Sequence, residues 1–304
     1  MKVLDQHEGD GWVAYHADTV EVSASLPDAS IHYSIFSPPF SSLYTYSPSD
    51  RDIGNVRDDA EFADHIRYLF RDLYRVTKPG RLCSQHCMLL PTSKARDGFI
   101  GLRDFRGDLI RLMQDVGWIY HSEVVIWKDP VTSMQRTKAL GLLHKQVRKD
   151  SSMSRQGIPD YLITFRKPGE NTEPIAHTVE EYPVELWQRV ASPVWALAGR
   201  ERDDGFLDVS QDVNPSDTLQ YRSAREHEDE RHICPLQLPV IRRALGLWTN
   251  PGDTVLDPFG GIGSTGVVAR EMGRRFVGTE LKKSYYQQMV RNLQAAGRQT
   301  EMFG

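Results

Sequence analysis

The chain has 304 residues, 39% of them hydrophobic and 26% charged, with a formal net charge of −4. That length supports one large α/β domain or two ordinary ones, and the charge excludes a nucleic-acid role resting on overall basicity. No apolar stretch approaches the roughly 20 residues of a membrane span, and MKVLDQHEGDGW lacks the apolar middle of a secretory signal. With only three cysteines (Cys83, Cys87, Cys234) no disulfide framework is expected, and a cytoplasmic location is.

WVAYHAD (12–18) alternates and ends in an aspartate, Leu26-Pro27-Asp28 turns, and IHYSIF (31–36) is a short β-like run. It runs into Ser37-Pro38-Pro39-Phe40, a corner that can neither continue a helix nor donate to a sheet ladder. By itself such a corner is an ordinary turn. Asp58 to Val76 reads as an amphipathic helix, with Phe62, Ile66, Leu69, Leu73 and Val76 on one face and Lys78-Pro79-Gly80 as its stop. RLCSQHCMLL (81–90) reads as a buried strand, Phe105 to Asp115 as a second helix, and HSEVVIWK (121–128) as a further strand. Cys83, His86 and Cys87 look like part of a metal site but sit on an apolar run without a fourth ligand, so a structural role and no metal are expected.

Charge is unevenly spread through the middle. Lys128 to Arg155 carries seven Lys/Arg against two Asp, whereas Glu170 to Arg231 carries fifteen acids against six Arg. Such asymmetry can orient a polyanion towards one face, and Arg136, Lys138, Lys145 and Lys149 are the candidate phosphate contacts. YLITFRK (161–167) reads as a strand, and PVELWQRVASPVWAL (183–197) as short helical packing anchored by Trp187 and Trp195.

The last quarter alternates clearly. Leu236 to Leu247 is helical, TVLD (254–257) a strand, PFGGIGSTG (258–266) a glycine-rich loop opening a helix, RRFVGTE (274–280) a strand, and Ser284 to Ala296 a final helix. Alternation of this kind at both chain ends predicts a doubly wound, mainly parallel sheet. Gly261-Ile-Gly263-Ser-Thr-Gly266 satisfies G-x-G-x-x-G, and Glu280 follows 19 positions after Gly261, where an acid can grip ribose hydroxyls. Taken alone this fits a nicotinamide or flavin dinucleotide, hence an NAD(P)-dependent oxidoreductase. Asp257-Pro258-Phe259 before the glycines and the proline corner some 220 residues upstream have no evident use in such an enzyme.

Together, D-P-F-G-G-I-G-S-T-G and S-P-P-F in this order resemble the β-group of amino DNA methyltransferases, and RVTKPGR (75–81), VVIWK (124–128) and RHICPLQLPVIRRAL (231–245) extend the resemblance over most of the chain. LYTYS, RTKALGLLHKQ and GRRFVGTELK are similar to phage and prophage members. Where the family often has Gln-Lys-Pro this chain has Gln237-Leu238-Pro239, and no role is assigned to Leu238.

The resemblance implies a Rossmann-like α/β methyltransferase fold with permuted motif order: residues 1–128 as the catalytic half, 129–231 as a recognition insert, and 232–304 as the cofactor half. It implies transfer of a methyl group from S-adenosylmethionine to the exocyclic amine of a base flipped out of double-stranded DNA. Ser37, Pro38, Pro39 and Phe40 would be catalytic, and Asp18, Asp257, Phe259, Gly260, Gly261, Gly263, Thr265 and Glu280 would bind the cofactor. Thr265 serves equally as a simple helix cap. Serine before Pro-Pro favours cytosine N4, with adenine N6 as the alternative. The C5 branch would need Pro-Cys, and this chain has only Cys234-Pro235 in the reverse order. A bacterial or phage-infected cell is the implied setting, with homodimerisation and a paired endonuclease left open.

Overall fold

The computed structural model describes residues 3–40, 59–130, 144–153, 156–201, 207–210, 212–220 and 235–303. Nine strands of one sheet account for most of the apolar runs: β1 (Val3–Gly9), β2 (Trp12–Ala17), β3 (Ile31–Phe36), β4 (Thr77–Met88), β5 (Ile119–Ile126), β6 (Asp160–Arg166), β7 (Val194–Trp195), β8 (Thr254–Asp257) and β9 (Arg275–Glu280). Their spatial order is β1-β2-β9-β8-β3-β4-β6-β5-β7. Five neighbouring pairs are parallel and three antiparallel, so the sheet is mixed but mainly parallel.

The expected strands fall within a residue or two of their runs, except that β4 starts four residues before the run at 81–90 and takes in Lys78-Pro79-Gly80. Strand β1 is an addition. Its pattern is almost wholly exposed, and it forms a hairpin with β2 through Asp10-Gly11, where Gly11 takes φ +72°. A two-residue turn that needs positive φ suits glycine. Strands β6 and β7 come from the segment expected as an insert, and β6 pairs with both β4 and β5 inside the main sheet.

Helices pack on both faces. On one face lie α1 (Thr19–Ser25), α2 (Asp59–Val76) and α3 (Phe105–Val116), over a core of Phe62, Ile66, Leu69, Leu73, Leu109 and Phe165. On the other lie α5 (Leu238–Trp248), α6 (Ser264–Glu271) and α7 (Lys283–Phe303), over Tyr33, Val240, Ile241, Val268, Phe276 and Leu293. A further helix, α4 (Val184–Val190), lies near the β7 edge. There Trp195 is buried and donates its indole N–H to Val190 O, as an anchor should, but Trp187 is 55% exposed and does not serve as a second anchor. Cys83 and Cys87 are free, buried thiols in the α2/α3 core, consistent with the structural role expected of them. Among the described residues no helix is long and apolar enough to cross a membrane.

The winding places a functional crevice. From β3 the chain passes through α2 to β4 on one side; from β8 it passes through α6 to β9 on the other. Since β3 and β8 are neighbours, their carboxyl ends form a topological switch point, where open α/β sheets bind their ligands.

Candidate active site

Strand β3 ends at Phe36 and leads into Ser37-Pro38-Pro39-Phe40; strand β8 ends at Asp257 and leads into Pro258-Phe259 and the glycines. Both corners leave the sheet at the switch point, and the rings of Phe36 and Phe259 meet with centroids 5.7 Å apart. Two rigid turns separated by some 220 residues are thereby packed against each other. Pro38 and Pro39 are buried, whereas Ser37 and Phe40 are half-buried. Phe40 meets the ring of Phe105 edge-on at 5.9 Å.

On the cofactor side the loop holds itself in shape. Gly260 N donates to Thr279 O (2.8 Å), Gly263 N to Gly260 O (2.8 Å), and Asn292 Nδ2 to Ile262 O (2.8 Å). Gly263 has φ +90°, and a Cβ there would lie 3.0 Å from Met289 Cγ, so this position needs glycine twice over. Glu280, at the end of β9, accepts from Gly261 N (2.9 Å) and Lys282 N (2.7 Å). Glu280 thus braces the glycine loop from the end of β9. Asp18 follows β2, whose His16 is in register with Glu280, so the two acids sit at the ends of adjacent parallel strands. Asp18 also caps α1 by accepting from Val20 N at 2.9 Å.

Asp257 and Thr265 shape the loop from inside. Both are buried; the Asp257 carboxylate accepts from Phe259 N (3.0 Å) and from the Thr265 hydroxyl. Thr265 is thus tied to Asp257, while the α6 N-cap position is taken by Gly263. Burial raises the Asp257 carboxyl to about 6, against the lowering effect of those two hydrogen bonds. A folded-state value above the unfolded one means that the folded state holds this proton longer as pH rises. Between about pH 4 and 6 the group therefore withdraws stability, by about 3 kcal/mol from the size of the shift. Asp257→Asn lacks this loss, so its stability relative to wild type should rise by about that amount between pH 4 and pH 7. Urea unfolding at the two pH values checks it.

Sequence reasoning missed one part of the site. Ser37 Oγ lies 3.1 Å from His86 Nδ1 at the end of β4; His86 Nε2 lies 3.2 Å from Asp160 Oδ2 at the start of β6; and Asp160 Oδ1 lies 2.5 Å from Lys128 Nζ just past β5. Burial alone would raise the Asp160 carboxyl, but Lys128 and His86 hold it below its ordinary value. The available signal was strand alternation. It puts His86 with Ser84 on the face opposite Cys83 and Cys87, at the strand end that meets the proline corner.

Of the candidate phosphate contacts, Lys145 and Lys149 are exposed, and Arg136 and Lys138 lie outside the described residues. His32, Glu173 and Asp253 at the opposite sheet end place ligand atoms within 4.8 Å of one another, and Arg81 and Lys78 are their cationic partners.

A glycine loop, two acids on adjacent strand ends and a proline corner meet at one switch point. The donor set fits S-adenosylmethionine. Glu280 and Asp18 suit its hydroxyls and amine, and the buried hydroxyls of Thr19 and Ser264, beside Asp18 and at the first turn of α6, have no partner among the described residues. The fold is that of a Rossmann-like methyltransferase.

The DNA methylase (N6/N4) family model matches residues 31–291, and the chain belongs to that family. It is an S-adenosylmethionine-dependent methyltransferase acting on DNA, which sets aside the oxidoreductase alternative. The type II methyltransferase M.Cfr9I of Citrobacter freundii is 24% identical over 310 residues, covering 94% of this chain and 89% of that enzyme. A DNA modification methylase from Thermus thermophilus, solved with S-adenosyl-L-methionine, superposes with TM-score 0.64 at 22% identity over 92% of each chain. The cytosine-N4-specific PvuII methyltransferase gives TM-score 0.61 at 16% identity over 93% of this chain and 86% of that one.

Proposed function

We propose that the protein methylates the N4 amine of a specific cytosine in duplex DNA. The observation that carries the reading is the packing of Phe36 on Phe259, which sets the Ser37-Pro38-Pro39-Phe40 corner beside the end of the cofactor loop. An exocyclic amine is a poor nucleophile because its lone pair is delocalised into the ring. Acceptors placed at its N–H groups favour a pyramidal nitrogen and stabilise the positive charge that develops during transfer.

In this reading Ser37 Oγ and the main-chain carbonyl of Pro38 are those acceptors, Pro39 stiffens the corner, and Phe40 is the ring on which the extruded base stacks. Asp18, Phe259, Gly260, Gly261, Gly263 and Glu280 hold the cofactor, with Asp257 and Thr265 keeping the loop in shape. S-adenosylmethionine supplies an electrophilic methyl group on a sulfonium. The N4–methyl bond forms as the sulfur–methyl bond breaks, and the amine then sheds one proton to solvent. The base leaves the duplex at a cost of a few kcal/mol, after which the rate rests largely on positioning.

Residues 1–128 and 232–304 are read as two halves of one catalytic domain. The parts of 129–231 outside β6 and β7 are read as the recognition surface, with Lys145 and Lys149 engaging phosphates. Serine at position 37, where the adenine branch more often has an acid, favours cytosine.

Mass analysis of nucleosides from DNA treated with the protein and methyl-labelled cofactor tests the proposal. N4-methylcytosine is expected. N6-methyladenine would move the protein to the adenine branch, and no labelled nucleoside on any duplex supplied would overturn the reading.

A further inference from the structure

We propose that His86, held by Asp160 and Lys128, is a positioning residue that fixes the direction of the Ser37 hydroxyl, so that its lone pairs rather than its hydrogen face the target amine. The inference rests on the acceptor role given to Ser37 above. It stands on the hydrogen bond between Ser37 Oγ and His86 Nδ1 (3.1 Å) and on two close charge contacts: His86 Nε2–Asp160 Oδ2 (3.2 Å), which lacks hydrogen-bond alignment, and Asp160 Oδ1–Lys128 Nζ (2.5 Å).

A serine hydroxyl rotates to suit its surroundings and can present either a donor or an acceptor. For an amine that is losing electron density, a donor is the wrong partner. Asp160 is 3% exposed and its neighbours favour the ionised form, so towards His86 it can only accept. The carboxylate charge 3.2 Å away therefore favours the imidazole hydrogen on Nε2. In the neutral ring Nδ1 is then a lone pair, and the Ser37 O–H must donate to it. Both oxygen lone pairs are left for the substrate side.

Lys128 completes the device from the far end. Its ammonium lies 2.5 Å from Asp160 Oδ1 and helps to keep that carboxylate ionised. An imidazolium would donate from Nδ1 to Ser37, occupy one lone pair and turn the hydroxyl hydrogen outward. Among the described residues, the groups facing His86 are Ser37 from the β3 corner and Asp160 from β6, with Lys128 beyond β5 behind Asp160. Arg106 and Glu123, which act on the neighbouring Cys87, pair with each other at 2.8 Å, and Arg106 lies over the ring of Tyr161. Strand alternation places His86 on the face away from Tyr161's partner Cys87.

The experiment uses the full chain with histidine labelled at the ring nitrogens, the His86 signals being assigned by their absence in His86→Asn. Nitrogen NMR should report a neutral ring protonated at Nε2 with a bare Nδ1. A ring protonated at Nδ1 would overturn the proposal, whatever the activity. Kinetics give the second readout. His86→Ala should lower kcat about 10- to 50-fold, with S-adenosylhomocysteine affinity within twofold of wild type. His86→Asn, whose amide oxygen reaches near the Nδ1 position, should recover several-fold of that loss. Unchanged kcat in both variants would sink the positioning role. A wild-type protein that methylates no DNA would instead refute the acceptor reading on which it rests.

Discussion

Arg81→Met should lower the unfolding free energy by about 3–5 kcal/mol while leaving kcat of the folded protein unchanged. Arg81 is 1% exposed at the amino ends of the central strands, opposite the crevice. Its guanidinium pairs with the Asp253 carboxylate and also donates to His32 O (3.2 Å) and Glu173 O (3.0 Å). Asp253 in turn accepts from Asn250 N at 2.8 Å, and His32 Nδ1 accepts from Thr254 N at 3.0 Å. This one side chain therefore joins β3, β4, the turn before β8 and the segment around Glu173. Methionine keeps most of the apolar stem but strands a buried carboxylate and two carbonyls. That asymmetry makes a broken buried pair far costlier than an absent one. A second substitution, Asp253→Leu, should return part of the loss despite the turn contact it sacrifices. Urea unfolding at neutral pH, with the slope unchanged and the midpoint lowered, checks both. A single-variant midpoint within error of wild type would mean that water already screens the pair.

Some elements were legible because their residues restrict the backbone. Two prolines after IHYSIF, and Asp-Pro followed by glycines after TVLD, left few shapes for the chain, and both corners lie where they were expected, beyond strands of those residues. Amphipathic spacing placed α2 and α3 for the same kind of reason. Strand β1 was not legible: it pairs by backbone hydrogen bonds along an edge and buries almost nothing, so no side-chain period marks it. Trp187 misled in the opposite sense, since a large aromatic in a short helix reads as an anchor while this one faces solvent. His86, Asp160 and Lys128 are 32 to 74 positions apart, and each ends or borders a strand. Only the antiparallel insertion of β6 between β4 and β5 brings them together, and order along the chain does not contain that insertion.

Ser37→Ala should lower kcat for methyl transfer about 100- to 1,000-fold, the range for removing one preorganised group that meets developing charge. Affinity for S-adenosylhomocysteine should hold within about twofold, because the loop is braced by Gly260, Glu280 and Asn292 rather than by the proline corner. The loss belongs in kcat for a physical reason. In the ground state the amine is nearly planar and its N–H groups bond almost equally well to water; only as the methyl arrives does the nitrogen gain the charge that an acceptor relieves. An interaction that strengthens between those two points changes the rate and not the binding. Stability should change little, since Ser37 is half-buried and His86 Nδ1 loses a single partner, worth about 1 kcal/mol. Single-turnover assays with pre-bound DNA isolate the step. A variant with wild-type single-turnover rate would remove Ser37 from the chemistry and leave the Pro38 carbonyl as the sole proposed acceptor. A variant that instead lost cofactor binding would show that the two corners, joined through Phe36 and Phe259, cannot be perturbed separately.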